Sequence, residues 1–414
     1  AIIKRNGNGY GLNNMVGTSA GHWRGTISAL CALLVGIGLG RFAYTPLIPA
    51  LASAEWFTAS DAAYLGAANL AGYLAGAALA RILAAKTSTR FALRGGMLLA
   101  SVAFFACSQP FPFEWFFVWR FIAGMCGGIL MVLAAPTVLP FVPANRQGLA
   151  GGIIMTGVAL GIALSGTMVP LTLDLGLTET WVALGLLASL LTAIAWHGWP
   201  APTEGGTAAA ASRPPGLRVL KSLYIEYCLN AVGLVPHMVF WVVFIVQGLN
   251  RGFEVGAFYW VIFGLGAMLG PVAVGYLADR IGSLWALRLG YVLQAVFVGL
   301  IAVTDNTAVL VASSLVMGAF VPASTTLVLI RLRHVIGHDA GAQTSGWRLA
   351  TIAFAVGQAT GAYGLSYLFD ISGDYTLLYA VGGGALVLSL ALNLVAGREG
   401  KAPQIDVGNK KSET

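Results

Sequence analysis

Charged residues are scarce in this 414-residue sequence: Asp, Glu, Lys and Arg together make up 9% of it, and hydrophobic residues make up 57%. Soluble globular domains carry about 25% charged residues. The shortage excludes an ordinary soluble protein and indicates an integral membrane protein. Glycine, with 54 residues, is abundant instead, as expected where helices pack closely in lipid.

Cysteine is nearly absent as well. The four cysteines, Cys31, Cys107, Cys126 and Cys228, fall in apolar segments without a CxxC pair. This spacing supports neither a disulfide framework nor a zinc site. The sequence also lacks a nucleophile–base set or a cluster of metal ligands at one membrane depth. We therefore expect no cofactor, no metal site and no enzymatic activity.

Residues 1–24 lack the apolar core of a cleavable signal peptide. Long apolar segments follow them, and a membrane-spanning helix needs ~20 predominantly apolar residues. Twelve segments meet this requirement: residues 25–51, 62–80, 95–111, 115–141, 148–171, 179–199, 219–247, 254–278, 286–303, 307–330, 341–368 and 375–396.

The distribution of basic residues predicts the orientation of these spans. Most of the 23 Lys and Arg residues flank the spans on the side that holds both termini, whereas Arg251 lies on the opposite, acidic side. The positive-inside rule places both termini in the cytoplasm, in a multi-pass protein that we assign to a bacterial inner membrane. Because the basic residues flank spans and do not gather on a polar domain, we expect contact with membrane lipid and no binding of nucleic acid.

An Ala-, Gly- and Pro-rich stretch at 201–216 is typical of a flexible linker and divides the spans six and six. The two sets are similar: GAALAR at 76–81 aligns with GYLADR at 275–280, and FALRGG at 91–96 with WALRLG at 285–290. These matches indicate a duplicated six-helix unit. The predicted divisions are a cytoplasmic tail (1–24), an N-terminal half (25–199), a cytoplasmic linker (200–218), a C-terminal half (219–397) and a second cytoplasmic tail (398–414).

The second-half copy of the first of these motifs contains Gly275, Asp279 and Arg280. It resembles the motif between the second and third helices of major facilitator superfamily (MFS) transporters. In that superfamily the charges help to latch the two halves in the outward-open state. The resemblance implies a cytoplasmic gate at these three residues, although the first-half copy has Ala80 where the second has its acid.

Two further stretches are similar to the same superfamily. The sequence from Arg120 to Gly128, RFIAGMCGG, resembles its fourth-helix motif, and GRFAYTPLIP at 40–49 looks like the hallmark of its YbfB/YjiJ-type branch. The resemblance implies an all-α integral membrane protein with the MFS fold, in which twelve transmembrane helices form two six-helix halves around a central cavity. It also implies a secondary transporter that works by alternating access.

Four charged residues lie well inside the apolar stretches: Arg41, Arg120, Glu226 and Arg348. A charge at membrane depth costs at least ~2.5–3.5 kcal/mol, so its default interpretation is functional. The resemblance places the first three on helices that line the central cavity. Arginines without an acidic partner at their depth favour an anionic substrate, since a guanidinium binds a carboxylate through two hydrogen bonds.

The sequence therefore predicts a site for a small organic anion, with protons as the coupling ion. The predicted substrate-binding residues are Arg41, Arg120, Tyr44, Asn69, Tyr73 and Asn230. Glu226 is the predicted proton carrier, with His237 as a second candidate; helical spacing puts His237 and Asn230 on the same helix face as Glu226. We expect the protein to be a monomer.

Other interpretations stay open for several of these residues. Arg120 could stabilise the helix framework, and Arg348 could form a salt bridge with Glu226 in place of binding substrate. The asparagine and tyrosine side chains could make ordinary hydrogen bonds between helices.

A second function also competes with anion transport, namely export of hydrophobic or cationic compounds. An acidic or aromatic cavity would suit it, but the spans contain one acid against three arginines, and the fifth span lacks the Gly-Pro pair typical of drug/proton antiporters. A transporter-like sensor is a more remote alternative, because the linker and tail are too short for an output domain.

Overall fold

The computed structural model describes residues 13–143, 146–200, 218–337 and 339–398, and these residues form helices and loops without any strand. Most of the predicted linker, half of the predicted N-terminal tail and most of the predicted C-terminal tail lie outside the described residues. Their division from the two halves stays a prediction.

Within the part of the chain that the structure describes, twelve long helices follow one another, and we number them α1 to α12. Helix α1 comprises Asn13–Leu33, a π-helical segment Leu34–Phe42, and Tyr44–Ser53. Helix α7 comprises Arg218–Val235, Pro236–Phe240, Trp241–Val243 and Phe244–Gly248. The others are α2 (Ala59–Lys86), α3 (Thr89–Ala106), α4 (Phe113–Val138), α5 (Gln147–Leu173), α6 (Leu177–Ala195), α8 (Phe253–Ile281), α9 (Ser283–Ile301), α10 (Thr307–Ile336), α11 (Ala340–Ser372) and α12 (Tyr375–Arg398).

Eleven of these helices are long and apolar enough to cross a membrane within the described residues. The twelfth, α11, has 33 residues and packs against α2 and α7. Each helix overlaps one of the twelve predicted spans, although α1 begins at Asn13, within the predicted N-terminal tail. The predicted two-half helical fold is confirmed.

Side chains at the helix ends explain several of the boundaries. Thr58, Ser88, Asn306 and Asp339 each accept a hydrogen bond from a backbone N–H in the first turn of the helix that follows. Such N-caps satisfy donors that a helix leaves free at its start. Gly373 ends α11 in the left-handed conformation, which glycine adopts without steric cost.

The two halves repeat the same close packing of helices. Gly124 of α4 lies so near the carbonyl of Asn69 in α2 that an added Cβ would overlap the oxygen, and Gly318 of α10 stands in the same relation to Phe263 in α8. Positions 124 and 318 differ by 194, as do 69 and 263, which is also the offset between FALRGG and WALRLG. The α2–α4 contact therefore recurs, residue for residue, as the α8–α10 contact.

The two halves meet through α2 with α11 and through α5 with α8. The Ser60 hydroxyl donates to Asp370 Oδ1 at 2.7 Å, and the Trp260 indole donates to Ser165 Oγ at 3.0 Å. All four residues belong to the end of the bundle that is predicted to face outward. The halves are therefore joined at that end.

Helices α1 and α7 both depart from α-helical geometry midway along their length. The π-helical segments Leu34–Phe42 and Pro236–Phe240 widen the turn there, and such segments are frequent at functional sites. The Thr45 hydroxyl of α1 donates to the carbonyl of Met238 in α7 at 2.7 Å. The two irregular regions are thus held side by side between the halves.

The close packing predicts that Gly318→Ala lowers the thermal unfolding midpoint of the detergent-purified protein. The added methyl group must push α10 away from the α8 backbone, and overpacking of this kind costs about 1–3 kcal/mol. Gly151→Ala is the matched control, since a Cβ at Gly151 meets no atom within 4 Å. Equal midpoints for the two variants would contradict the close approach.

Candidate functional site

A narrow cavity, with room for about one water molecule, lies between α1, α2, α4 and α7. Its lining includes Arg41, Tyr44, Thr45, Asn69, Arg120 and Met238. Four of the six predicted substrate-binding residues therefore lie around one space. The lining holds two guanidinium groups and no carboxylate.

Arg41 lies at the end of the π-helical segment of α1 and is partly exposed to this space. Its Nη1 donates to Gln358 Oε1 at 3.1 Å, and its Nη2 points to Met238 Sδ at 3.6 Å. The rings of Phe42 and Tyr73 lie 5.1 and 5.7 Å from the guanidinium carbon, within range of a cation–π attraction. All these partners are neutral, so among the described residues the Arg41 charge is not paired with an acid.

Arg120 is buried, with 2% of its surface exposed. Its Nη1 donates to the carbonyl of Gly40 at 2.8 Å, and its guanidinium carbon lies 4.1 Å from the centre of the Tyr44 ring. Asn69 Nδ2 donates to the same carbonyl at 3.2 Å and to the Arg120 carbonyl at 3.1 Å. Together they hold the peptide group next to Arg41. This geometry supports the framework interpretation of Arg120.

Glu226 lies in the interior of the C-terminal half, 1% exposed. Its carboxylate accepts hydrogen bonds from Ser222 Oγ at 2.7 Å and from Asn393 Nδ2 at 2.8 Å. Asn393 Oδ1 in turn accepts from Arg288 Nε at 2.9 Å. The carboxylate of α7 is thus linked through an amide of α12 to a cation of α9.

The other members of the predicted polar stripe also point into the C-terminal half. Asn230 Nδ2 donates to Gln294 Oε1 of α9 at 2.8 Å. His237 Nε2 lies 2.8 Å from Ser313 Oγ of α10, and its ring stacks on Trp241. The stripe therefore faces α9, α10 and α12, so Asn230 is not brought to the central cavity with Arg41. Helical spacing defines which residues share a face, but not which helices that face contacts.

The alternative ion pair between Glu226 and Arg348 is not formed among the described residues. Both oxygens of Glu226 are occupied by Ser222 and Asn393, and the Arg348 side chain is exposed on α11. The sequence correctly gave Arg348 a place inside an apolar helix. It could not show that the residue lies on the side of α11 that points away from the interior of the helix bundle.

Of the predicted gate residues, Asp279 and Arg280 are exposed and Gly275 is half-buried, and among the described residues none forms a hydrogen bond or an ion pair with the other half. The Arg280 guanidinium lies over the Tyr276 ring of its own helix at 4.8 Å, Asp279 is exposed, and a Cβ at Gly275 would meet no atom within 4 Å. The latch therefore stays a prediction for another conformation. Within the described chain, no group of three or more His, Cys, Asp or Glu side chains could hold a metal ion.

Sequence reasoning missed Gln358 and Met238, the two C-terminal-half partners of Arg41. Gln358 did offer a signal, since an amide deep inside an apolar helix needs a polar partner. Met238 offered none, because methionine is an ordinary core residue.

Two six-helix halves around a cavity of this kind define a transporter of the major facilitator type. Over residues 33–394 the sequence matches the family described as "Uncharacterised MFS-type transporter YbfB", and the chain belongs to this family. It is also similar to a chloramphenicol resistance protein of Streptomyces lividans, with 26% identity over 354 residues that cover 80% of this chain and 85% of the relative. The sequence-based assignment to this branch is confirmed.

The contacts of Asn69 predict that Asn69→Leu lowers the unfolding midpoint. The change removes one donor from two buried carbonyls, which costs about 1–3 kcal/mol. Ser189→Ala is a control in the same half, because that hydroxyl donates to Gly185 O of its own helix at 2.8 Å. If Asn69→Leu melts with the wild type, Asn69 does not hold the Gly40 peptide group.

Proposed function

We propose that the protein is a secondary transporter that moves a small organic anion across the bacterial inner membrane, with both termini in the cytoplasm. The observation that carries this proposal is the cavity lined by two guanidinium groups and no carboxylate. Charge–charge attraction is strong in an apolar interior. An anion with one or two carboxylate groups is the ligand that such a lining attracts.

The geometry supports a division of work between the two arginines. Arg41 has two terminal nitrogens that face neutral, replaceable partners, and we assign it to the substrate. Arg120 supports the peptide group of Gly40 and lines the cavity behind it. Tyr44, Asn69 and Tyr73 complete the N-terminal side of the site.

Alternating access would proceed from the arrangement described, in which the halves meet at the predicted outer end. Such transporters move one half against the other around a fixed midplane site. In the opposite state the outer contacts part, and the Gly275–Arg280 segment closes the cytoplasmic side. We place the latch in that state.

Proton coupling is the second element of the proposal. Protonation of Glu226 would remove the negative charge that accepts from Ser222 and Asn393, and the change would reach Arg288 through the Asn393 amide. The linkage joins α7, α9 and α12, so the coupling would act on the packing of the C-terminal half. His237 is the other candidate, since its Nδ1 is buried and has no hydrogen-bond partner within the described parts of the chain.

Arg41→Gln should lower carboxylate uptake into proteoliposomes about 10- to 100-fold, because hydrogen bonds to a charged group contribute about 1.5–3 kcal/mol. The assay uses a set of radiolabelled organic acids. Arg251→Gln is the matched control, since Arg251 bonds Thr307 at the outer surface. Wild-type uptake by the Arg41 variant would remove Arg41 from the site.

Glu226→Gln should abolish the acceleration of uptake by an imposed pH gradient, while uptake down a substrate gradient continues. The glutamine keeps the shape of the side chain but cannot exchange a proton. Glu254→Gln, at the exposed start of α8, controls for loss of an acid elsewhere. If the Glu226 variant still responds to the gradient and His237→Phe does not, His237 is the coupling residue.

Export of hydrophobic compounds is the competing function, and the chloramphenicol resistance protein of Streptomyces lividans favours it. The aromatic rings of Phe42 and Tyr73 beside Arg41 would also suit such a compound. The two functions separate in drug-sensitive cells that express the protein. Anion transport leaves the inhibitory concentration of chloramphenicol unchanged, whereas export raises it and does so less with Phe42→Ala.

A further inference from the structure

We infer that Gln358 and Met238 act as internal substitutes for the substrate, because they occupy the two positions on Arg41 that the oxygens of a carboxylate would take. The substrate is then a monocarboxylate with an apolar body, which displaces both side chains. The inference rests on the proposed function and specifies the ligand of the same site. It assigns two residues of the C-terminal half to substrate selection.

The contacts of Arg41 form a closed set. Its two terminal nitrogens point to Gln358 Oε1 and Met238 Sδ, and Gln358 Nε2 points to the same sulfur at 3.8 Å. An amide oxygen is neutral and a thioether sulfur is a weak acceptor. The two acceptors thus occupy the places that the two oxygens of a carboxylate would take, but bind less strongly.

A carboxylate would replace both acceptors with charge-assisted hydrogen bonds, which are roughly twice as strong as neutral ones. Met238 would stay anchored through its backbone carbonyl, which accepts from the Thr45 hydroxyl. The exchange therefore needs side-chain rotation and leaves the α1–α7 contact intact.

The number of negative charges on the substrate follows from Arg120. Its Nη1 is committed to the Gly40 carbonyl and its face is covered by the Tyr44 ring. A second carboxylate could not take both terminal nitrogens of Arg120, because Nη1 holds the Gly40 carbonyl; its Nε is buried without a hydrogen-bond partner among the described residues. The rings of Phe42 and Tyr73 beside Arg41 favour an apolar or aromatic body next to the single charge.

The exchange of Gln358 and Met238 for a carboxylate would also transmit the binding of substrate from Arg41 to the C-terminal half. Arg41 belongs to the N-terminal half, whereas Gln358 and Met238 belong to α11 and α7. In the arrangement described, these contacts tie the halves at the centre of the bundle. A bound carboxylate loosens α11, the helix that packs against α2 at the interface of the halves.

Isothermal titration of the purified full-length protein with benzoate and octanoate tests the inference. Gln358→Leu removes one competing acceptor and should tighten binding about tenfold, since one hydrogen bond to a charged group contributes roughly that factor. Gln358→Glu supplies a fixed carboxylate to Arg41 and should abolish binding. Gln343→Leu, near the start of the same helix, should bind as the wild type does.

Two further ligands and one further variant complete the experiment. Benzamide, the neutral analogue, should not bind, and phthalate should bind no more tightly than benzoate. Gln358→Met replaces the amide with an unbranched side chain of similar length and is used if the leucine variant does not fold. It should also tighten benzoate binding.

The outcomes separate the two proposals. Benzoate binding that disappears in Arg41→Gln but is unchanged in both Gln358→Leu and Gln358→Met overturns the internal substitutes and keeps the anion site. Phthalate that binds more tightly than benzoate overturns the single-charge assignment. Failure of both monocarboxylates to bind the wild type, or binding that survives Arg41→Gln, overturns the proposed function together with this inference.

Discussion

The Arg120–Gly40 hydrogen bond fixes the part of α1 on which the central cavity depends. Helix α1 is π-helical from Leu34 to Phe42, and a widened turn in an apolar interior needs donors for its backbone carbonyls. Arg120 and Asn69 both donate to the Gly40 carbonyl. Arg41 is the next residue, so its guanidinium takes its direction from a peptide group that two neighbouring helices hold. Arg120, which we do not assign to the substrate, thus sets the direction of Arg41, which we do.

The internal repeat shows how the site was placed on a symmetrical scaffold. Glycines at equivalent positions make the same close contacts in both halves, yet the equivalents of the polar residues differ. By the offset of 194, Asn69 corresponds to Phe263 and Arg120 to Ser314. Ser314 accepts a hydrogen bond from the Trp241 indole at 3.0 Å and is neutral. The packing is shared by the halves, whereas the positive charges around the cavity belong to the N-terminal half.

The sequence predicted whatever depends on length, composition and spacing. Twelve apolar segments became twelve helices, and the arginines at 41 and 120 meet at one cavity because a charge deep in a membrane is stabilised by a position inside the helix bundle. The orientation of a helix about its own axis is set by partners far away in sequence. For this reason the Glu226 stripe was expected at the cavity and lies among α9, α10 and α12, and Arg348 was expected to be buried and is exposed. Met238 was missed for the same reason: its sulfur acts as a hydrogen-bond acceptor only because Arg41, far away in sequence, lies opposite it.

The glycine contacts between α2 and α4, and between α8 and α10, have a mechanical consequence. Where one backbone rests directly on another, no flexible side chain lies between them to absorb a sliding motion. Each helix pair therefore behaves as a stiff lever. The deformable regions are the interfaces between these rigid pairs, where tyrosine, serine and tryptophan side chains meet across α2–α11 and α5–α8. Substitutions at these two interfaces alone could therefore change the rate of the conformational change, while the rigid helix pairs and the arginines of the cavity stay as they are.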